Sequence, residues 1–160
     1  VKQLIEDKSE SLLTLKFDDY YKISFVRNPW ARIYSLFKML QQVNKLRFAD
    51  MSFDDFVNSL DIILKQNSHP VLVHTILGSK QFASDSNGNI LLNHIFKLEE
   101  CRYVFMPFMW NKFRIPIVEF PHRNKRTNSV DEYRLHYTDK TKNIIQKRYS
   151  WEINKFDYDF

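Results

Sequence analysis

The sequence predicts an α/β domain with a mainly parallel sheet flanked by helices, and three observations carry that prediction. A run of strand-formers, YYKISFV at 20–26, ends at Arg27-Asn28-Pro29 and passes straight into a helical pattern. A second β-rich run lies within NILLNHIFKL, and EECRYVFMPFMWNKF at 99–113 follows it with helical spacing. A third short run, IPIVEF at 115–120, precedes a polar loop and then a helix over 138–156. Strands alternating with helices favour parallel pairing with helical crossovers.

In chain order, residues 1–15 place Leu4, Ile5 and Leu12 loosely at helical spacing, which predicts a short helix and a connection. From Pro29 the apolar positions Trp30, Ile33, Phe37 and Leu40 step by three or four residues, so an amphipathic helix runs to about Val43. Pro29 suits its first turn, where a missing N–H costs nothing. Ser52 with Asp55 three residues later resembles a capping box and opens a second helix over 52–64. The stretch 70–83 is poorly defined, and SDSNGN at 84–89 is a strong turn. Pro107 predicts an interruption or kink in the 99–113 helix. Thr138 caps the last helix, whose apolar stripe is Ile144, Ile145, Tyr149 and Ile153. The basic loop HRNKRTN lies at 122–128.

The chain has 160 residues, which is most simply one domain with a real core. Its 14 Phe, 8 Tyr and 3 Trp predict a core of large rings. Lys and Arg number 24 against 19 acids, a net charge of +5 that leans towards anionic partners, among them nucleotides, sulfated sugars and membrane surfaces. Bases and acids are interspersed, with no single-sign stripe, so nucleic acid is the weakest of these partners. Cys101 is the sole cysteine, which excludes a disulfide within the chain and a cysteine-rich metal site. No histidine pair has convincing metal spacing, so no metal is expected.

The stretch ISFVRNPWARIYSLF at 23–37 carries the chemistry. Ligands of open α/β sheets gather beyond the carboxyl ends of strands, where helix N-termini offer backbone N–H groups. Arg27 stands at such an end, and its guanidinium can fork onto two phosphate oxygens. Stepping back by four from Ser35 gives small Ala31 and then Arg27, so hydroxyl and guanidinium share a side. Arg32 lies on another face, suited to pairing with an acid or water. Taken alone, an arginine at a strand end is most often a structural partner of a carboxylate.

Val26-Arg27-Asn28-Pro29-Trp30, followed by Arg32 and Ser35, resembles the 3′-phosphate-binding motif of the carbohydrate sulfotransferases, which use 3′-phosphoadenosine 5′-phosphosulfate (PAPS). Ser86-Asn87-Gly88-Asn89 with Lys97-Leu98-Glu99 is similar to the family's turn-strand-Arg-aromatic-Glu segment. Pro121-His122-Arg123-Asn124-Lys125 resembles its Pro-x-x-Asn-Lys loop. Tyr133, Tyr137-Thr138 and the ending from Glu152 to Phe160 look like its terminal helix and closing Phe-Gly-Tyr-x-Phe. The resemblance covers most of the chain. Lys97 stands where Arg is usual, Arg126 where Ser is usual and Asp157 where Gly is usual.

The resemblance implies a P-loop-NTPase-like sulfotransferase fold, PAPS as co-substrate and a carbohydrate hydroxyl as acceptor. Arg27 and Ser35 then hold the donor's 3′-phosphate. Arg123, Lys125 and Arg126 close over the nucleotide, meet an anionic acceptor, or form a solvated basic loop. Glu99 is a structural ion-pair partner rather than a catalyst. His74 is the candidate acceptor-side group, ahead of His69, His94, His122 and His136.

The family also holds the reacting sulfate with a Gly-Lys-Ser/Thr loop after an N-terminal strand. Glycine occurs here only at 78 and 88, outside any such loop, and the 26 residues before Arg27 hold no histidine. The expectation is therefore a C-terminal portion of a longer sulfotransferase domain, N-terminally incomplete, whose general base and 5′-phosphosulfate loop lie before Val1. A non-catalytic nucleotide- or glycan-binding module of the same fold is the alternative. Lys-, Asn- and Ile-rich usage points to a bacterial cytoplasmic enzyme. A Golgi-lumenal protein anchored through a missing N-terminal segment is the other possibility, and peripheral membrane association is compatible with the charge.

Overall fold

The computed structural model describes residues 16–43, 48–66, 69–117 and 132–160. Their order is β1 (Ile23–Val26), α1 (Pro29–Val43), α2 (Phe53–Asn58), α3 (Leu60–Gln66), α4 (Pro70–Leu77), α5 (Ser79–Ala83), β2 (His94–Lys97), a π-helical turn (Cys101–Phe105), α6 (Met106–Phe113), α7 (Asp139–Arg148) and α8 (Ser150–Phe156). The fold is mixed α/β and mostly helical. Among the described residues its sheet is only two strands, β1 and β2, paired in parallel with Ile23 opposite His94 and Val26 opposite Lys97. The parallel pairing is as expected; the sheet is smaller than expected.

β1 is shorter than the predicted strand because Tyr20 and Tyr21 stay exposed and unpaired in the ladder. The segment 115–117 has no regular structure and 118–120 lies outside the described residues, so the predicted third strand is not seen. The short helix over 1–15 and the loop 122–128 also lie outside them. Residues 70–83 are two helices hinged at Gly78.

α1 spans the predicted residues, and Trp30, Ile33, Phe37 and Leu40 are all buried. They pack against Phe53, Phe56 and Val57 of α2, Leu60 and Ile63 of α3, Leu72 and Ile76 of α4, and Ile145, Tyr149 and Ile153 near the C-terminus. Full burial of a side chain such as Ile33 contributes about 1.5–3 kcal/mol, so this helical cluster is the main source of stability. A smaller cluster of Phe96, Cys101 and Phe105, with Ile23, Phe25, Phe108 and Met109 against it, covers the sheet. Burial, then the Glu99 carboxylate, push the Cys101 thiol pKa up, which keeps it a packed, unreactive group.

The local signals explain the ends of the elements. Ser52 Oγ accepts from Asp55 N at 3.1 Å and starts α2. Thr138 and Thr141 cap each other reciprocally at the start of α7. The expected single terminal helix breaks at Tyr149 into α7 and α8. The expected interruption near Pro107 takes the form of the π-helical turn, which hands over to α6 with the proline in its first turn. In the turn over 84–89, Asp85 accepts from the backbone N–H of Asn87 and Asn89, and Gly88 sits at φ 84°. Only glycine adopts that value without strain.

Candidate functional site

β1 delivers the chain directly to the start of α1, and Asn28 builds the junction. Its Oδ1 accepts from Trp30 N at 3.0 Å and Ala31 N at 3.2 Å, while its carbonyl accepts from Arg32 N at 2.9 Å. Asparagine is a strong N-cap, and Pro29 behind it has no N–H to satisfy. The first-turn amides are thus already spoken for. Backbone N–H groups at this helix start are not available to an anion, contrary to the sequence expectation, and a ligand there must be held by side chains and the helix dipole.

Asn28 is itself held in place. Its backbone N–H donates to Glu99 Oε1 at 2.7 Å, and its Nδ2 donates to the Asp159 carbonyl at 2.9 Å. Glu99 Oε2 accepts from Tyr158 OH at 3.1 Å. Burial first, and the Glu99 charge second, push the Tyr158 phenol pKa well above its ordinary value. Glu99 therefore ties the junction to the C-terminus, through a backbone amide and a phenol where an ion pair was expected. Lys97, at the end of β2, pairs with Glu100 at 3.4 Å and lies 5.2 Å from the Tyr158 ring.

Arg27 follows β1 immediately and is half-buried; Ser35 is half-buried on α1. The step from Ala31 to Ser35 is helical, but α1 begins at Pro29, so Arg27 stands outside the helical row drawn from the sequence. From the helix start to Ser35 is roughly 9 Å along the axis. Ala31, between them on α1, is buried in the helical core cluster.

Arg32 has a different fate. Its Nη1 donates to Glu152 Oε2 at 2.6 Å and its Nη2 to Oε1 at 3.3 Å, forming a buried ion pair across to α8. The guanidinium also lies 4.7 Å from the Tyr149 ring, and Tyr149 OH donates to the Ile76 carbonyl at 2.7 Å. Glu152 Oε1 accepts a further bond from Ser79 N at 2.6 Å. Gly78 makes that approach possible: a Cβ there would sit 2.5 Å from Glu152 Oε1, and its φ is 87°. Glycine at 78 thus serves packing. Arg32's pairing with an acid was legible from its face; Glu152 as the acid was not.

Between β1 and this network lies a cleft of about 290 Å³, lined by Ser24, Phe25, Arg32, His74, Thr75, Ser79, Phe82 and Ala83. His74 is exposed at its edge, its ring 4.2 Å from that of Phe82. His74 is the expected acceptor-side residue; the cleft itself has no sequence signal, because Ser79 and Phe82 carry no motif. Arg123, Lys125 and Arg126 lie outside the described residues. Among the described residues no group of histidine, cysteine and acidic side chains could hold a metal, and no helix is long and apolar enough to cross a membrane.

The C-terminal segment closes the other side of α1. Tyr137 OH donates to the Trp30 carbonyl at 3.0 Å, and Trp30 Nε1 donates to the Lys142 carbonyl at 3.2 Å. Phe160 meets Trp30, Tyr133 and Tyr137 edge-on. Asp157 adopts φ 50° as the left-handed C-cap of α8, a conformation that explains why glycine suits this position. Compared with known proteins, the chain finds no match among family models, curated proteins or solved structures.

Proposed function

We propose that the chain is a sulfotransferase-type nucleotide-binding unit, in which Arg27 and Ser35 hold the 3′-phosphate of PAPS and the sulfuryl group passes to a carbohydrate hydroxyl. The observation that carries this is the β1–α1 junction: an arginine at the carboxyl end of a parallel strand, at the positive end of a capped 15-residue helix. A phosphate there is drawn by the helix dipole and by a fork of guanidinium donors.

In the transfer, the acceptor oxygen forms a bond to sulfur as the bond from sulfur to the 5′-phosphate oxygen breaks. The acceptor's proton leaves to a base, and 3′,5′-adenosine bisphosphate departs. His74 is the acceptor-side group best placed for the proton, exposed at the edge of a cleft that also contains Ser24 and Phe25 of β1. By the resemblance, the basic residues Arg123, Lys125 and Arg126 would serve the nucleotide or an anionic acceptor. No step calls for a metal.

A second reading has its own support. Gly78 and Gly88 are used for packing and for a turn, so neither supplies a loop for the 5′-phosphosulfate. A module that binds the nucleotide without transferring sulfate fits that fact. Labelled PAPS separates the two: label appearing on a glycan panel supports transfer, whereas retained, unreacted nucleotide supports binding alone. Both readings require that 3′,5′-adenosine bisphosphate bind at least about tenfold more tightly than 5′-AMP. Equal affinity for the two nucleotides would reject both.

A further inference from the structure

The turn and helix that follow β2 carry an exposed face of distinct make-up. From Cys101 to Ile117 the sequence has Arg102, Lys112 and Arg114 and no Asp or Glu, in a chain that holds 19 acids. Across the same stretch Tyr103, Val104, Trp110, Phe113 and Ile115 are large apolar side chains left exposed, Tyr103 at 79% and Trp110 at 51%. No residue of α6 is fully buried. The helix rests on the cluster of Phe96, Cys101 and Phe105 through Phe108 and Met109, with its other side open.

Rings and cations are interleaved on this face. The Phe113 ring meets Tyr21 edge-on at 5.2 Å, and Lys112 Nζ lies 4.6 Å from the centre of the Tyr21 ring. Arg114, one turn beyond Trp110, lays its guanidinium 5.9 Å from the indole. Long basic side chains placed this way keep their stems on apolar surface and their charge at the rim. The neighbouring acids do not cancel these charges. Glu99 is held by Asn28 and Tyr158, Glu100 pairs with Lys97, and Asp18 and Asp19 are flanked in sequence by Lys16 and Lys22.

That chemistry narrows the partner. Exposed apolar residues scattered singly need no explanation, but aromatic rings gathered with cations and no acid do. Tryptophan and tyrosine favour the boundary between water and hydrocarbon, and lysine and arginine beside them favour anionic headgroups. A protein partner would have to supply a concave, acidic counterpart to this convex face, whereas a lipid surface yields to it. α6, at 8 residues, is too short to span a bilayer and suits lying on its surface.

We propose that the face formed by residues 101–117 is an interfacial membrane-binding surface. Trp110, Phe113 and Tyr103 enter the headgroup layer, and Arg102, Lys112 and Arg114 meet the charges of anionic lipids. Such a surface is independent of any nucleotide held at Arg27.

The test is co-sedimentation of the full chain with vesicles of phosphatidylcholine alone and of equal parts phosphatidylcholine and phosphatidylglycerol, with tryptophan fluorescence read in parallel. The mixed vesicles should bind the chain, shift its fluorescence to the blue and release it at high salt. Lys112→Gln with Arg114→Asn removes two cations, asparagine tolerating the left-handed backbone at 114. That pair should weaken binding about twenty-fivefold, or about fivefold per charge. Trp110→Ser, at an exposed position, should weaken it about tenfold and abolish the blue shift. No sedimentation with the mixed vesicles, equal binding to phosphatidylcholine alone, or full binding by both variants would overturn the proposal. So would a dimer seen by light scattering without lipid and dispersed by Trp110→Ser, which would give the face to a second copy of the chain.

Discussion

At the start of α1, Asn28 reaches Glu99 and Asp159 through hydrogen bonds near the surface; one turn later, Arg32 meets Glu152 as a buried ion pair. Both anchors tie the same helix to the C-terminal end of the chain, but they respond to damage differently. Water can replace a lost partner at the first. At the second, removing one charge strands the other in a site where the side chains are 14% and 3% exposed. The start of α1 thus has an adaptable anchor at Asn28 and a rigid one at Arg32.

Glu152→Ala should show the difference most strongly. It leaves Arg32 unpaired and Ser79 N without its acceptor, at a cost of about 3–5 kcal/mol in urea unfolding. Replacing both charges together, Arg32→Met with Glu152→Leu, should recover most of that loss. Asn28→Ala, by contrast, should cost about 1 kcal/mol, the usual value of an N-cap. If the two single substitutions cost the same, the distinction between the anchors fails.

Asp157→Gly is a smaller change in the opposite direction. It relieves a left-handed residue at the end of α8 and should stabilise by about 0.5–1 kcal/mol, measured as a rise in the urea midpoint. Titration addresses the same C-terminal packing. Burial is the main cause raising the phenol pKa values of Tyr137, Tyr149 and Tyr158 above 10.0. Groups whose folded pKa is raised contribute stability that is full below the unfolded value and is lost as pH rises beyond it. Absorbance should therefore show these three tyrosines still protonated past pH 10.0, with alkaline unfolding releasing them. Titration of all eight near the ordinary value in the folded chain would contradict the packing.

How much of this was legible in the sequence depended on range. The spacing of Trp30, Ile33, Phe37 and Leu40, the caps at Ser52 and Thr138, and the Asp85–Asn89 turn are local, and each formed where the sequence placed it. The break at Tyr149 and the π-helical turn over Cys101–Phe105 depend on packing against distant elements, which spacing does not encode. At the site, Arg27 and Ser35 stood out by motif and His74 by residue type. Glu152 and Ser79 did not, because Glu152 meets Arg32 across a separation of 120 positions and Ser79 across one of 73. The capped amides of α1 were also hidden, although Asn28 before Pro29 was a readable N-cap signal.

The measurement closest to the central claim is a calorimetric titration of 3′,5′-adenosine bisphosphate into the intact chain and into Arg27→Ala. Loss of a forked, charge-assisted contact should weaken binding by about thirty- to a hundredfold, or roughly 2–3 kcal/mol, while 5′-AMP affinity stays the same. Equal affinity of the two proteins for the bisphosphate would contradict the assignment of Arg27 to the 3′-phosphate.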